Sequence, residues 1–234
     1  MNETILTIPG QTPTVDALVV TPDGAGPFDV AVIVNGAFEP QDAVQEVGRR
    51  FATEGLLAIV PALRDAPALR PNVTNGDLVR CIERIVDFAR EQPGASASNV
   101  SLIGFGIGGF VALLAACHAD VASAVSFYPR GIVRPIRGLR IEPIVRDMKS
   151  DVAPFLGLFG AQDERVRPED VAKIRARLVL CRAVHELIVY PHAKNGFFLP
   201  SREEYRAEAA SHAWTRTLEW LRRFARGNGL AQAK

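Results

Sequence analysis

The chain of 234 residues is 48% hydrophobic and 23% charged, a composition that suits one globular α/β domain with a sizeable core. Its 27 basic and 26 acidic residues give a net charge of +1, which is too small for a general attraction to nucleic acid or to an anionic membrane. We therefore expect a single domain over residues 1–234 whose partner is a small-molecule ligand or substrate, and we leave self-association open.

The sequence also bears on the location of the protein. Its N-terminus lacks a basic start followed by a long apolar stretch, and no run reaches the ~18 apolar residues needed to span a bilayer. The three cysteines have no metal-ligand spacing and lie in or beside apolar helical patterns; they are Cys81, Cys117 and Cys181. We expect a cytoplasmic protein with reduced cysteines and no bound metal.

Short apolar runs and helical patterns alternate from the N-terminus onward. Residues 14–20 and 29–34 predict strands, and the second is continuously apolar, as in a strand that is covered on both faces. A helical pattern over residues 44–52 ends at Gly55 and leads into another apolar run at residues 56–60. This order predicts a β-α-β unit.

The rest of the chain continues the alternation. Residues 61–75 contain three prolines and no clear period, so they predict a loop over the carboxyl side of the sheet. The later predicted elements are helices at residues 78–89, 110–116, 168–180 and 203–224 and strands at residues 100–103, 122–129, 154–159 and 186–190. Such alternation predicts a mostly parallel sheet of about seven to eight strands with helices on both faces, whose ligands bind beyond the carboxyl ends of the strands.

A glycine-dense turn, Gly104-Phe-Gly-Ile-Gly-Gly109, lies between a predicted strand and a predicted helix. This order is typical of the Gly-x-nucleophile-x-Gly turn, whose tip holds a Ser or Cys in a strained backbone above a parallel sheet. Here the tip is Gly106. The function therefore depends on whether this is a hydrolase turn without its nucleophile or a phosphate-binding turn.

Two further loops follow predicted strands, one with Asp163 and the other with His192 and Asn195. An α/β hydrolase places its nucleophile, acid and histidine after strands in this chain order. The tip at Gly106 and these two loops thus have the arrangement of a hydrolase site.

Three motifs in these loops resemble the site motifs of the dienelactone hydrolase family, and the likeness covers nearly the whole chain. They are Gly104-Phe-Gly-Ile-Gly-Gly109, Gly160-Ala-Gln-Asp163 and Tyr190-Pro-His-Ala-Lys-Asn-Gly-Phe197, supported by Phe127-Tyr128, Tyr205 and Ala213-Trp214. The resemblance implies an α/β-hydrolase fold, a Cys-His-Asp triad, and hydrolysis of small lactones or esters without a cofactor.

Carried over to this sequence, the resemblance places the family's cysteine on Gly106, its aspartate on Asp163 and its histidine on Asn195. The family's glutamate would fall in the loop Asn35-Gly-Ala-Phe, and here Glu39 is displaced by a few residues. Covalent catalysis needs a side-chain nucleophile and a base that activates it. We therefore expect a degenerate triad and regard the chain as a pseudoenzyme candidate.

Several residues remain candidates for a role at this site. His192 is a candidate replacement base with Asp163 as its orienting partner. A histidine beside a proline in a loop is more often a surface or hydrogen-bonding residue, and the aspartate could equally cap its turn. The candidates for oxyanion or ligand binding, whose alternative roles are packing or a solvated charge, are Ala37, Ile107, Tyr128 and Arg130.

Three functions follow from these residues. The first is a non-hydrolytic role on a small molecule, either binding or acid–base chemistry such as proton transfer, cyclisation or elimination. The second is a weak lactone or ester hydrolase that activates water directly, since an intact oxyanion hole alone leaves ~10³ to 10⁴-fold catalysis. The third is dinucleotide binding through Gly104-x-Gly106-x-x-Gly109, but the next predicted strand ends in Ser126-Phe-Tyr-Pro129 without the acid that would hold the ribose.

Overall fold

A computed structural model describes residues 1–10, 14–36, 39–63, 73–136, 138–146 and 148–226. Its strands form an eight-stranded sheet in the order β1-β2-β4-β3-β5-β6-β7-β8. The strands are β1 (Asn2–Ile8), β2 (Val15–Thr21), β3 (Phe28–Val34), β4 (Leu57–Pro61), β5 (Ala95–Phe105), β6 (Ser123–Phe127), β7 (Phe155–Gly160) and β8 (His185–Tyr190). The pairings of β1 with β2 and of β2 with β4 are antiparallel, and the other pairings are parallel.

Helices cover both faces of this sheet. They are α1 (Gln41–Thr53), α2 (Asn75–Arg90), α3 (Ile107–His118), α4 (Pro168–Leu180) and α5 (Ala207–Phe224). Helices α2, α3 and α4 pack into one apolar core, and α1 and α5 pack into the core on the opposite face. The mostly parallel sheet with helices on both faces that the sequence predicts is thereby confirmed.

Helix α3 lies against the middle of the sheet, and its residues 107–116 are all buried. A Cβ atom on Gly104 would overlap the carbonyl group of Gly108, and one on Gly108 would overlap the carbonyl group of Val34. The glycines of this turn are therefore needed for the close approach of α3 to β3 and β5. This packing explains their spacing without a bound phosphate.

The structure differs from the sequence prediction mainly at the N-terminal edge of the sheet. Strand β1 was not predicted, because its residues are exposed except for Ile8 and carry no strong apolar pattern. Pairing with β2 over seven residue pairs holds β1 in place instead. Most of the predicted loop at residues 61–75 lies outside the described residues, and a short 3₁₀ helix (Ile144–Arg146) occupies part of the irregular segment after β6.

Because β3 and β5 to β8 are parallel, the loops that follow them meet at one edge of the sheet. The candidate site residues that the structure describes lie in or next to these loops. Across the parts of the chain that the structure describes, no helix has both the length and the apolar character that a bilayer crossing requires.

Candidate functional site

The turn between β5 and α3 has a left-handed backbone at its tip. Gly106 has φ 56° and ψ −113°, a conformation that residues with a Cβ atom rarely adopt. Its N–H donates to the Phe127 carbonyl at 3.0 Å, and its carbonyl accepts from the Arg130 N–H at 3.1 Å. These bonds hold the tip between β6 and the start of α3, where Ile107 is the first helical residue and is 4% exposed.

The carboxylate of Glu39 lies beside this tip. A Cβ atom built on Gly106 would be 3.0 Å from Glu39 Oε1. A Cβ atom built on Gly36 would overlap Glu39 Oε2 and would be 3.2 Å from the Ile107 amide nitrogen. Glu39 is 8% exposed, so a buried carboxylate occupies the space next to the N-terminus of α3.

Tyr128 follows β6 and lies between Phe127 and Arg130, whose backbone groups bond to Gly106. Its φ is 40°, and its N–H donates to the Leu158 carbonyl at 2.7 Å. The ring is fully buried, with centroids 6.2 Å from Phe105 and 5.5 Å from Phe197. The Tyr128 hydroxyl is buried and has no hydrogen-bond partner among the described residues.

The surroundings of Tyr128 keep its hydroxyl protonated. Burial raises the pKa of Tyr128 well above its ordinary value of 10.0. The negative charge of Glu39 is the next largest cause, those of Glu204 and Asp163 act in the same direction, and the positive charge of Arg202 opposes them. The hydroxyl therefore remains a hydrogen-bond donor at neutral pH.

Asp163 and Asn195 are brought together from the loops after β7 and β8. Asp163 is 4% exposed, and its Oδ2 accepts a hydrogen bond from Asn195 Nδ2 at 2.9 Å. Its Oδ1 accepts from the N–H groups of Arg165 at 2.8 Å and Val166 at 3.2 Å. Asp163 thus caps its own turn, which is one of the two roles considered for it, and its other carboxylate oxygen holds the Asn195 amide.

We use the name elbow site for Glu39, Gly106, Tyr128, Asp163 and Asn195. Glu39 is the member whose position sequence reasoning missed, because that reasoning treated it as displaced from the family's glutamate position. The signal that was available is Gly36, whose lack of a side chain leaves room for the Glu39 carboxylate.

Arg130 borders the elbow site. Its guanidinium is partly buried, and burial lowers its pKa, as does the positive charge of Arg165. The negative charges of Asp163 and Glu39 act in the opposite direction, so Arg130 lies within electrostatic range of both carboxylates. Arg130 and Arg165 also line a neighbouring groove of about 210 Å³.

His192 lies elsewhere. It is exposed and lines a groove of about 620 Å³ between the end of β8 and the start of α5. In this groove the Tyr190 hydroxyl and His212 Nδ1 are 3.0 Å apart. We call it the β8 groove; no member of the elbow site lines it.

The remaining candidates can be placed briefly. Ala37 lies outside the described residues, so the structure gives no position for it. Within the described ranges there is no group of three or more His, Cys, Asp or Glu side chains that could hold a metal ion. Burial raises the pKa of the Cys117 thiol to about 12, which leaves it unreactive at neutral pH.

A mostly parallel sheet with helices on both faces and a left-handed turn between the central strand β5 and helix α3 defines an α/β-hydrolase fold. The model of the dienelactone hydrolase family matches residues 15–225. The chain belongs to the dienelactone hydrolase family.

Relatives of the chain support this assignment. Two of them have the name "Putative carboxymethylenebutenolidase". The one from Synechocystis sp. is 28% identical over 231 residues, which cover 92% of this chain and 94% of that protein. The one from Yersinia pestis is 31% identical over 233 residues, which cover 92% of this chain and 86% of that protein.

A solved structure agrees with these relatives. The crystal structure of a "Putative Dienelactone Hydrolase" from Klebsiella pneumoniae subsp. pneumoniae superposes with a TM-score of 0.82 at 26% sequence identity. The match covers 95% of this chain and 99% of that one.

Proposed function

We propose that the elbow site takes a small molecule and acts on it by non-covalent acid–base chemistry, rather than by hydrolysis through a covalent intermediate. The observation that carries the proposal is the position of Glu39. Its Oε1 is 3.0 Å from the place that a Cβ atom on Gly106 would take. A carboxylate therefore borders the space that a nucleophilic side chain would enter.

The site also lacks the base that covalent hydrolysis requires. Covalent hydrolysis needs a nucleophile and a base that takes its proton. Gly106 supplies no side-chain nucleophile, and the residue that donates to Asp163 is Asn195, whose amide does not take up a proton at neutral pH. The groups beside the tip that can accept or donate protons are the Glu39 carboxylate and the Tyr128 hydroxyl.

Direct activation of water is the second candidate, because Glu39 lies beside the N-terminus of α3. A Cβ atom built on Gly36 would overlap Glu39 Oε2 and would lie 3.2 Å from the Ile107 amide nitrogen. The carboxylate and the amide are therefore close to the same position. A carboxylate and an oxyanion-stabilising N–H in one place would suit attack by water on an ester. Dinucleotide binding is disfavoured by the same geometry, since the Glu39 charge would repel a phosphate at the start of α3.

The test uses p-nitrophenyl acetate, an activated ester. We expect no burst of p-nitrophenol equal to the protein concentration and no acetyl adduct by intact mass spectrometry. A Gly106→Cys/Asn195→His double variant is the matched positive control, because it supplies a thiol at the tip and an imidazole beside Asp163. A stoichiometric burst with an acetyl adduct on the natural chain would contradict the proposal.

The choice of further compounds follows from the family. The relatives are named as carboxymethylenebutenolidases, so small unsaturated lactones are the natural compounds to test for binding. We expect binding without ring opening, which NMR separates by the resonances of the intact lactone and the open hydroxy or keto acid.

A further inference from the structure

The elbow site has a buried carboxylate and a buried hydroxyl, and helix α3 begins beside its tip. The base is the Glu39 carboxylate. Its Oε1 lies 3.0 Å from the position that a Cβ atom on Gly106 would take. Glu39 is 8% exposed, so its carboxylate is largely shielded from water.

The first donor is the amide of Ile107. It is the first residue of α3, so its N–H has no acceptor within the helix, and it points out of the N-terminus with the positive end of the helix dipole. This amide and the Glu39 carboxylate are close to the same position, the one that a side chain on Gly36 would fill.

The second donor is the Tyr128 hydroxyl. It is fully buried, and it has no hydrogen-bond partner within the described part of the chain. A buried hydroxyl without a partner destabilises the folded chain. A ligand oxygen in the elbow site would remove that destabilisation.

We infer that Glu39 is the general base of the elbow site, that the Ile107 N–H and the Tyr128 O–H hold the substrate's oxygen, and that the substrate is a carbonyl compound with a removable hydrogen on the neighbouring carbon. This inference rests on the proposed function. It specifies the reaction as proton transfer on carbon, with a β,γ-unsaturated lactone as the simplest substrate of this class.

The step balances without a further reactant. A Glu39 oxygen takes the proton from the carbon next to the carbonyl group, and the C–H electron pair moves to give an enolate. The negative oxygen accepts hydrogen bonds from Ile107 and Tyr128. The Glu39 carboxyl then returns the proton to the γ carbon, so the double bond moves into conjugation and the carboxylate is regenerated.

A structural role for Glu39 is the competing explanation, because a carboxylate at a helix N-terminus also stabilises the helix. The two roles differ in what they do to a reaction. A purely structural Glu39 affects folding stability, whereas a base makes the rate of proton transfer depend on its ionisation.

The experiment follows α-angelica lactone, a β,γ-unsaturated lactone, by ¹H NMR in D₂O with the natural chain and four variants. Deuterium entering the α position and formation of the conjugated isomer report proton transfer, and levulinate reports ring opening. The variants are Glu39→Gln, Glu39→Asp, Tyr128→Phe and, as the charge-matched control, Glu46→Gln on the exposed side of α1.

We expect the natural chain and Glu46→Gln to exchange and isomerise the lactone at equal rates above buffer. Glu39→Gln should lower the rate by at least ~100-fold, and Tyr128→Phe should lower kcat by ~100-fold. Glu39→Asp should keep part of the rate, because it retains a carboxylate. The rate of the natural chain should fall on acidification, because a protonated carboxyl group no longer accepts a proton.

Each other outcome overturns a distinct statement. An isomerisation rate that Glu39→Gln leaves unchanged overturns the role of Glu39. If that variant fails to fold, the natural chain still tests the role, because a rate that does not fall at acidic pH overturns it. Binding of the lactone without exchange overturns this inference and leaves the proposed function standing. Catalysed formation of levulinate without an acyl adduct overturns this inference in favour of direct water activation, and levulinate formed through an acyl adduct overturns the proposed function itself.

Discussion

The elbow site and the β8 groove lie at the same edge of the sheet, yet they are built for different chemistry. The elbow site has two buried carboxylates and a buried hydroxyl around a glycine, and the β8 groove has exposed His192 beside a paired tyrosine and histidine. Asn195 and His192 are only three positions apart, but Asn195 donates to Asp163 whereas His192 lines the groove. The burial of a side chain and its hydrogen-bond partners, more than its closeness in sequence to other site residues, decide whether it belongs to the same site.

The two tyrosines at this edge sharpen the contrast. Burial raises the pKa of Tyr128 and also that of Tyr190 above the ordinary value of 10.0. The Tyr190 hydroxyl pairs with His212 at 3.0 Å, whereas the Tyr128 hydroxyl has no partner among the residues that the structure describes. The tyrosine hydroxyl of the β8 groove therefore has a hydrogen-bond partner, whereas the Tyr128 hydroxyl of the elbow site is a donor without an acceptor among the described residues.

The largest difference in stability is expected when one anchor is removed from each region. Asp163→Ala deletes an acceptor of three hydrogen bonds and leaves buried donors unpaired, so we expect it to lower the free energy of unfolding by about 3 kcal/mol. Tyr190→Phe removes one hydrogen bond from the β8 groove and should cost about 1 kcal/mol. Urea unfolding measures both, and equal losses would contradict the contrast.

A side chain at the tip should have the next largest effect. Gly106→Ala places a Cβ atom on a backbone with positive φ, at a cost of about 1–3 kcal/mol, and also against Glu39. Gly55→Ala is the matched control, because Gly55 has φ 86° and no atom within 4 Å of its Cβ position. We expect Gly106→Ala to be more destabilising than Gly55→Ala in thermal unfolding.

The contact with Glu39 can be separated from the backbone strain. In a Glu39→Ala background, Gly106→Ala should cost about as much as Gly55→Ala does, because the neighbouring carboxylate is gone. If Gly106→Ala lowered the free energy of unfolding equally in the natural chain and in the Glu39→Ala background, the Glu39 carboxylate would not lie beside the tip.

Alkaline pH should reveal the buried Tyr128 hydroxyl. The unfolded chain releases this proton near pH 10 and the folded chain retains it, so the unfolded state binds fewer protons and stability falls as pH rises above about 10. The slope from one such group is about 1.4 kcal/mol per pH unit. Tyr128→Phe should remove that share, while the shares of Tyr190 and Cys117, which have the same sign, remain.

This measurement compares unfolding free energies at pH 9, 10 and 11. The natural chain and Tyr128→Phe should differ in slope above about pH 10 and run parallel below it. If the unfolding free energies of the two proteins differed by the same amount at pH 9, 10 and 11, Tyr128 would ionise as easily in the folded chain as in the unfolded one.

The smallest effect is expected for His192→Ala. The side chain is exposed and lies outside the elbow site, so we expect a stability change within about 0.5 kcal/mol and no more than a twofold change in lactone exchange. A large loss of exchange would assign the reaction to His192, as the sequence alone allowed, and would remove the distinction between the two regions.

The sequence predicted the features that depend on local patterns. The apolar runs indicated seven of the eight strands, and the glycine-dense turn indicated the tip at Gly106, because close packing of α3 against the sheet tolerates only glycine at Gly104 and Gly108. Asp163 and Asn195 follow adjacent parallel strands, so their meeting could be anticipated from chain order.

Features that depend on side-chain direction could not be anticipated. The loop containing Glu39 has no period that reports where the carboxylate points, and its return to the tip depends on the space left by Gly36. His192 was considered with Asn195 because both follow β8, but a turn of three residues is enough to direct them to different places. Strand β1 is held by pairing with β2, which a mostly exposed sequence does not reveal.

The central claim is that a small carbonyl compound binds in the elbow site, where the Glu39 carboxylate lies beside the tip at Gly106. A crystal structure of the chain soaked with 2(5H)-furanone, a lactone that cannot be isomerised further into conjugation, tests it most directly. We predict the lactone carbonyl oxygen at about 3 Å from the Ile107 nitrogen, with a ring carbon facing Glu39. A lactone seated beside His192 in the β8 groove, with the elbow site unchanged, would contradict the account.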